Sequence, residues 1–371
     1  MLRNSSASIR KHASGSAHKR APAVSRFDKR PALTPSPQRL PGIDALKALA
    51  CMLIVWHHLA FYGPMSDVVQ TAAPRLISWL YDYGRMAVQV FLVVGGFLAA
   101  AALASLQMDK PARPGQLILR RYRRLALPLV VAVIICVAVA AVVRPWFAHP
   151  SVPEAPGLWQ LVAHVFFLQD LVGQEALSAG LWYVAIDFQL FVISVCLFTW
   201  VPKQWQRWTV LVLAAASLLV FNRHAGLDAT ALYFFGSYAL GMMAWWASRS
   251  PRPVWWLLAI AVMGGVALAL DFRGRLAVAM VVAIALVWLQ PGRWTALQAP
   301  WLQQLGQISY SVFLIHFPVC LLVNALVSHV WPAQLLPNAL GMLAAFVLSL
   351  LAGKALYVGV ESRRWTRIAK P

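Results

Sequence analysis

The residues best suited to chemistry lie in apolar surroundings. Asp44, Lys47, His57 and His58 share one hydrophobic run, Asp187 sits in another, and Ser309 and His316 in a third. A charge within such a run is costly and asks for a reason. If the first run is helical, at about 100° per residue, Lys47 and His58 lie roughly 20° apart, and Asp44 and His58 about 40° apart. These three share a face, while His57 points well away. At about 1.5 Å per residue, His58 stands roughly 20 Å along the axis from Asp44. A neutral imidazole suits general-base work on a hydroxyl. A histidine bonded to a neighbouring helix is the plainer alternative, and the aligned polar stripe favours the chemical one.

Asp187 stands about two turns into its run, where an unpaired carboxylate would be expensive, so it requires a partner. Ser309 and His316 are seven apart and share a face; each serves equally well as glue between helices. Arg120, Arg121, Arg123 and Arg124 crowd the mouth of another run. They read either as a topology signal beside anionic lipid or as an anion site, since guanidinium forks match phosphate oxygens. Gly95 and Gly96 indicate close helix packing. Cys51, Cys136, Cys196 and Cys320 all fall in apolar stretches without CxxC spacing, and read as small apolar side chains rather than disulfides or metal ligands. No metal site is expected.

These residues need a membrane to hold them. Of 371 residues, 60% are hydrophobic and 12% charged, with a mean hydropathy of +0.66. A soluble domain carries about a quarter charged residues. Apolar runs long enough to cross about 30 Å of hydrocarbon recur, without the alternation of a β-barrel. The expected fold is all-α: a polytopic bundle of about ten spans, near 43–62, 87–106, 125–143, 180–200, 208–222, 230–247, 254–271, 275–290, 306–330 and 339–360. Residues 158–172 form a further apolar stretch, too short to span, that lies along the outer surface or re-enters. The net charge of +20 clusters beside the apolar runs, which argues for the positive-inside rule and against nucleic acid. With both termini in the cytoplasm, inside segments hold 24 basic residues and outside segments 6. Residues 1–40, with Asp28 the only acid, read as a disordered basic cytoplasmic tail rather than a transit peptide.

In order along the chain, these features resemble the acyltransferase-3 family of integral-membrane acyltransferases. The family's Arg followed eleven residues later by His is similar to Lys47 and His58. Its second-span motif resembles Val90–Phe97, and its Arg-rich entry to the third span resembles Arg120–Pro128. Its Leu-Trp-Tyr-x-x-x-Glu-x-Gln block resembles Leu181–Gln189, with Asp187 in the acid's place. Its late Leu-Gly-x-x-Ser-Tyr block ending in His-x-Pro resembles Leu305–Pro318, and a terminal Glu before basic residues resembles Glu361–Arg364. Departures stand at Lys47 (usually Arg), Gln89 (usually Asp), Gly95 (usually Ser) and Asp187 (usually Glu).

The resemblance implies one transmembrane acyltransferase domain over 41–365, with 366–371 a short cytoplasmic end. It implies O-acyl transfer at a bacterial inner membrane, with no bound cofactor. Acyl-CoA, most often acetyl-CoA, would be the cytoplasmic donor, and a hydroxyl of a surface or exopolysaccharide glycan, or its lipid-linked precursor, the acceptor. His58 would be the base, with Asp44, Lys47 and Asp187 completing the catalytic set. Arg120, Arg121, Arg123, Arg124, Trp182, Tyr183, Gln189, Ser309, Tyr310 and His316 would bind substrates, Ser309 and His316 lining the same cavity as His58. A transporter or flippase for a lipid-linked glycan is the rival reading; no inverted or parallel repeat supports it.

Overall fold

The architecture comes from a computed structural model, which describes residues 40–109, 113–289 and 295–362. The basic tail, Arg293, and Arg363 to Lys370 lie outside the described residues. The described residues form thirteen α-helices: α1 (Pro41–Phe61), α2 (Met65–Gln70), α3 (Pro74–Tyr83), α4 (Val88–Asp109), α5 (Pro114–Val143), α6 (Leu158–Val165), α7 (Leu181–Trp200), α8 (Lys203–Leu219), α9 (Ala231–Arg249), α10 (Pro253–Leu270), α11 (Gly274–Trp288), α12 (Pro300–Val330) and α13 (Leu335–Leu356). Proline opens α1, α3, α5, α10 and α12, where its fixed φ suits the first turn and its missing N–H costs nothing.

Among the described residues, seven helical stretches are long and apolar enough to cross a membrane: Pro41–Phe61, Pro74–Ala104, Pro114–Val143, Leu181–Trp200, Pro253–Leu270, Pro300–Val330 and Leu335–Glu361. α8, α9 and α11 overlie the other three expected spans. α9 is buried along nearly its whole length, so neighbouring helices rather than lipid surround it. The largest shifts of an expected start are at α5, which begins eleven residues before 125, and α12, which begins six before 306. The arginine cluster therefore lies inside α5 rather than at its mouth, because arginine is a good helix former. The stretch 63–86, read as connection, holds α2, α3 and a short turn at Gly84–Ala87.

Close backbone crossings draw the bundle together. A Cβ at Gly96 would collide with the carbonyl oxygen of Tyr238, and one at Gly241 with that of Val93, so α4 and α9 touch backbone to backbone. Gly306 likewise rests on the Asp44 carbonyl, clamping α12 to α1. The short stretch containing α6 runs alongside α5: Tyr122 donates its hydroxyl to Val165 O at 3.1 Å, and Cys136 donates to Leu177 O at 3.0 Å. These two α5 residues are fourteen apart, about 21 Å of helix. The chain from Val165 to Leu177 thus runs along α5 rather than across its end.

Candidate active site

His58 projects from α1 toward α12, where its Nδ1 lies 2.6 Å from Nε2 of His316. The two rings are nearly parallel, 10° apart. His316 is fully buried, and its own Nδ1 stands 2.8 Å from Phe313 O and 3.3 Å from Val312 O. A carbonyl oxygen only accepts, so Nδ1 of His316 carries the proton. In neutral His316, Nε2 is then an acceptor, and His58 must donate its Nδ1–H to it. The tautomer of His58 follows from this network, and its Nε2 keeps a free lone pair.

That imidazole opens onto a cavity of about 250 Å³, lined by His57, Tyr62, Arg85, Trp182 and Phe313 among others. His57 corrects the helical-face expectation. It lies on the same cavity, buried, with Nδ1–H donated to Leu80 O at 3.0 Å. The reason is the unread helix α3: it and the following turn cover this side of α1, and a Cβ at Gly84 would lie 2.8 Å from His57 Cβ.

Lys47 Nζ meets Asp44 Oδ1 at 2.9 Å, one turn apart. The pair shares α1 with His58 but does not touch it. Further round the bundle, Arg121 of α5 binds the Asp187 carboxylate of α7 at 2.5 Å and packs over Phe191 at 5.3 Å. The requirement that Asp187 have a partner is met by a residue from the arginine cluster. A Cβ at Gly95 would sit 3.4 Å from Asp187 Oδ1 and 3.2 Å from Tyr238 Cε2, so this glycine leaves room for the pair. Arg120 and Arg123 stay on the exposed side of α5, while Arg124, one turn on from Arg121, has the buried Glu361 and Asp187 as electrostatic neighbours. The four arginines therefore do not form one anion site: Arg121 is committed to the interior.

Of the other expected binding residues, Trp182 lies on the cavity and Tyr183 packs between Phe91 and Phe313. Gln189 accepts the Ala231 N–H at 3.0 Å and so holds the start of α9. Ser309 donates to Gly306 O at 2.9 Å, within its own helix, and Tyr310 to Leu125 O at 2.9 Å, tying α12 to α5. Neither Ser309 nor His316 lines the cavity, contrary to expectation; His316 stands behind His58 instead. Glu361, quoted only as a motif residue, is buried in a π-turn after α13 and accepts the Ser311 hydroxyl at 2.7 Å. Arg124 and Lys47 face it electrostatically. Arg85 and Phe313 had no comparable sequence signal, and His57, noted in the first apolar run but set off its polar stripe, reaches the cavity only when loop and helix close.

A family model described as an acyltransferase domain matches residues 40–358. The chain belongs to the acyltransferase-3 family. It is 28% identical over 353 residues to a Komagataeibacter xylinus protein provisionally named as a membrane-bound transacylase, BcsY, covering 86% of this chain and 81% of that one. It is 26% identical over 166 residues to the peptidoglycan O-acetyltransferase OatA of Listeria monocytogenes, covering 42% of this chain and 23% of that protein. A regulator of hypoxia-inducible factor 1 from Caenorhabditis elegans is 25% identical over 175 residues, 44% of this chain and 34% of that protein. No solved structure matches. As a member of the family, this is a multi-pass membrane acyltransferase, and the His58 cavity lies wholly within the matched region.

Proposed function

We propose that the protein moves an acyl group, acetyl in the simplest case, from acyl-CoA to a hydroxyl of a glycan at the outer side of a bacterial inner membrane. In this reading ten helices span, with both termini cytoplasmic. The observation that carries it is His58, whose ring lines a cavity and is oriented by His316 through Nδ1, leaving Nε2 without a hydrogen bond among the described residues. The acceptor hydroxyl gives its proton to Nε2 as its oxygen attacks the thioester carbonyl. The C–S bond then breaks, and the thiolate of CoA leaves and recovers that proton. A positioned base of this kind contributes about 10²–10⁴-fold. His316 holds the ring and accepts from the imidazolium that forms.

Direct transfer is favoured over an acyl-enzyme formed on Ser, Thr or Cys. None of these lines the cavity, and Cys51, Cys136 and Cys320 are hydrogen-bonded elsewhere in the interior. Exposed Arg120 and Arg123 supply positive charge for the phosphates of the donor at the face where CoA is made. The glycan acceptor draws support from OatA, whose name states peptidoglycan O-acetylation. Exopolysaccharide or its lipid-linked precursor is the preferred acceptor class. Glycan analysis of a deletion strain tests the proposal: loss of a single O-acyl decoration is expected, and loss of the entire polymer would point to a flippase.

A further inference from the structure

The cavity that His58 lines also carries a charge, partly open to solvent, whose counterpart is not among the described residues. Arg85, from the turn Gly84–Ala87, lines the cavity, and no Asp or Glu lines it. Among the described residues its guanidinium makes no hydrogen bond or ion pair; its electrostatic neighbour is His57. Aromatic faces flank it. Phe61 stacks on Tyr81 at 5.0 Å, both exposed, and Tyr62 and Trp182 also line the cavity. Arginine matches carboxylate and phosphate through paired N–H donors, and a cavity bearing one sign of charge concentrates ligands of the other. Aromatic faces suit the C–H face of a pyranose ring.

An acyl-CoA is uncharged at its thioester, its phosphates lying at the far end of the pantetheine arm. If the donor presents that end to His58, as the proposed function requires, the anion that Arg85 answers belongs to the acceptor. We infer that this wall is the acceptor subsite and that it takes an acidic sugar, a hexose bearing a carboxylate or a phosphate. Arg85 holds the anion, the aromatic faces hold the ring, and a neighbouring hydroxyl is left at His58 Nε2. His57 is held by Leu80 through Nδ1, so its Nε2 is the available acceptor for a second hydroxyl.

Binding tests this apart from catalysis. Full-length His58→Ala protein in zwitterionic nanodiscs is titrated with methyl glucuronide, glucose 1-phosphate and neutral methyl glucoside. One charge-assisted contact predicts an acidic sugar binding about tenfold more tightly than the neutral one. Arg85→Gln should bring that ratio close to one, and Arg85→Lys should keep part of it. Preference for the glucuronide assigns the anion to a uronate, and preference for glucose 1-phosphate to a sugar phosphate; both support the subsite. Equal binding of acidic and neutral sugars, or a preference that survives Arg85→Gln, overturns it. So does an Arg85 effect seen only on adding phosphatidylglycerol to the nanodiscs, which would make the residue a headgroup anchor. Acid-selective binding by a protein whose His58 proved dispensable for acyl transfer would sink the base assignment and leave the subsite standing.

Discussion

Arg121 and Asp187, 66 positions apart, close a part-buried ion pair between α5 and α7, the carboxylate buried and the guanidinium side chain 26% exposed. Arg121 Nε has no hydrogen-bond partner among the described residues, so the pair is held by one strong contact and the Phe191 face rather than a saturated network. Removing one member of a buried pair leaves a bare charge, at a cost of about 3–5 kcal/mol. Asp187→Ala should therefore lower the Tm of the purified protein strongly. The double change Arg121→Met with Asp187→Leu should recover much of it. If the double variant melts no higher than the single one, the pair is not the stabilising unit.

The histidine pair predicts a graded series. His58→Ala should reduce acyl transfer by about 10²–10⁴-fold, the usual worth of a positioned base, with normal membrane insertion. His316→Ala should lower kcat while leaving the KM for acyl-CoA near its original value, because His316 acts through His58. His316→Gln restores a side-chain acceptor and should regain part of the loss. Equal kcat in the alanine and glutamine variants would remove the orienting role.

Donor binding should depend on the exposed arginines. Replacing Arg120 and Arg123 with Glu is expected to raise the KM for acyl-CoA several-fold with little change in Tm, since neither side chain is buried. Topology mapping on the same variant separates a donor site from an orientation signal: altered topology with unchanged KM would assign these residues to orientation alone.

The α4–α9 crossing makes a prediction about folding rather than chemistry. Gly241→Leu would drive a side chain into the Val93 carbonyl, where neither backbone can yield without parting the helices. Little folded protein should be recovered from membranes, whereas Gly265→Leu, with open space around its Cβ, should fold normally. Comparable yields of the two variants would show that the crossing tolerates separation.

Much of this could be read from residue order because lipid imposes a local rule. A helix in hydrocarbon satisfies its own backbone, so apolar runs reveal helices without reference to their neighbours. The same rule made Asp187 conspicuous and required it to have a partner. Periodicity placed Asp44, Lys47 and His58 on one side of α1, and the family resemblance, borne out by the match over residues 40–358, singled out the stretches around Arg120, Leu181 and Leu305.

Which groups meet is a different matter, because it depends on side-chain distances between helices far apart in the chain. His58 finds His316 across 258 positions, and that contact, with His316 Nδ1 held by the Phe313 carbonyl, decides which imidazole nitrogen is free. Helical phase set His57 apart from the stripe, yet α3, a short amphipathic helix without the signature of a span, covers it and brings it to the cavity. The arginine cluster was a single feature in one dimension. In three, consecutive residues on a helix turn by about 100°, so Arg121 enters the core while Arg120 and Arg123 face out.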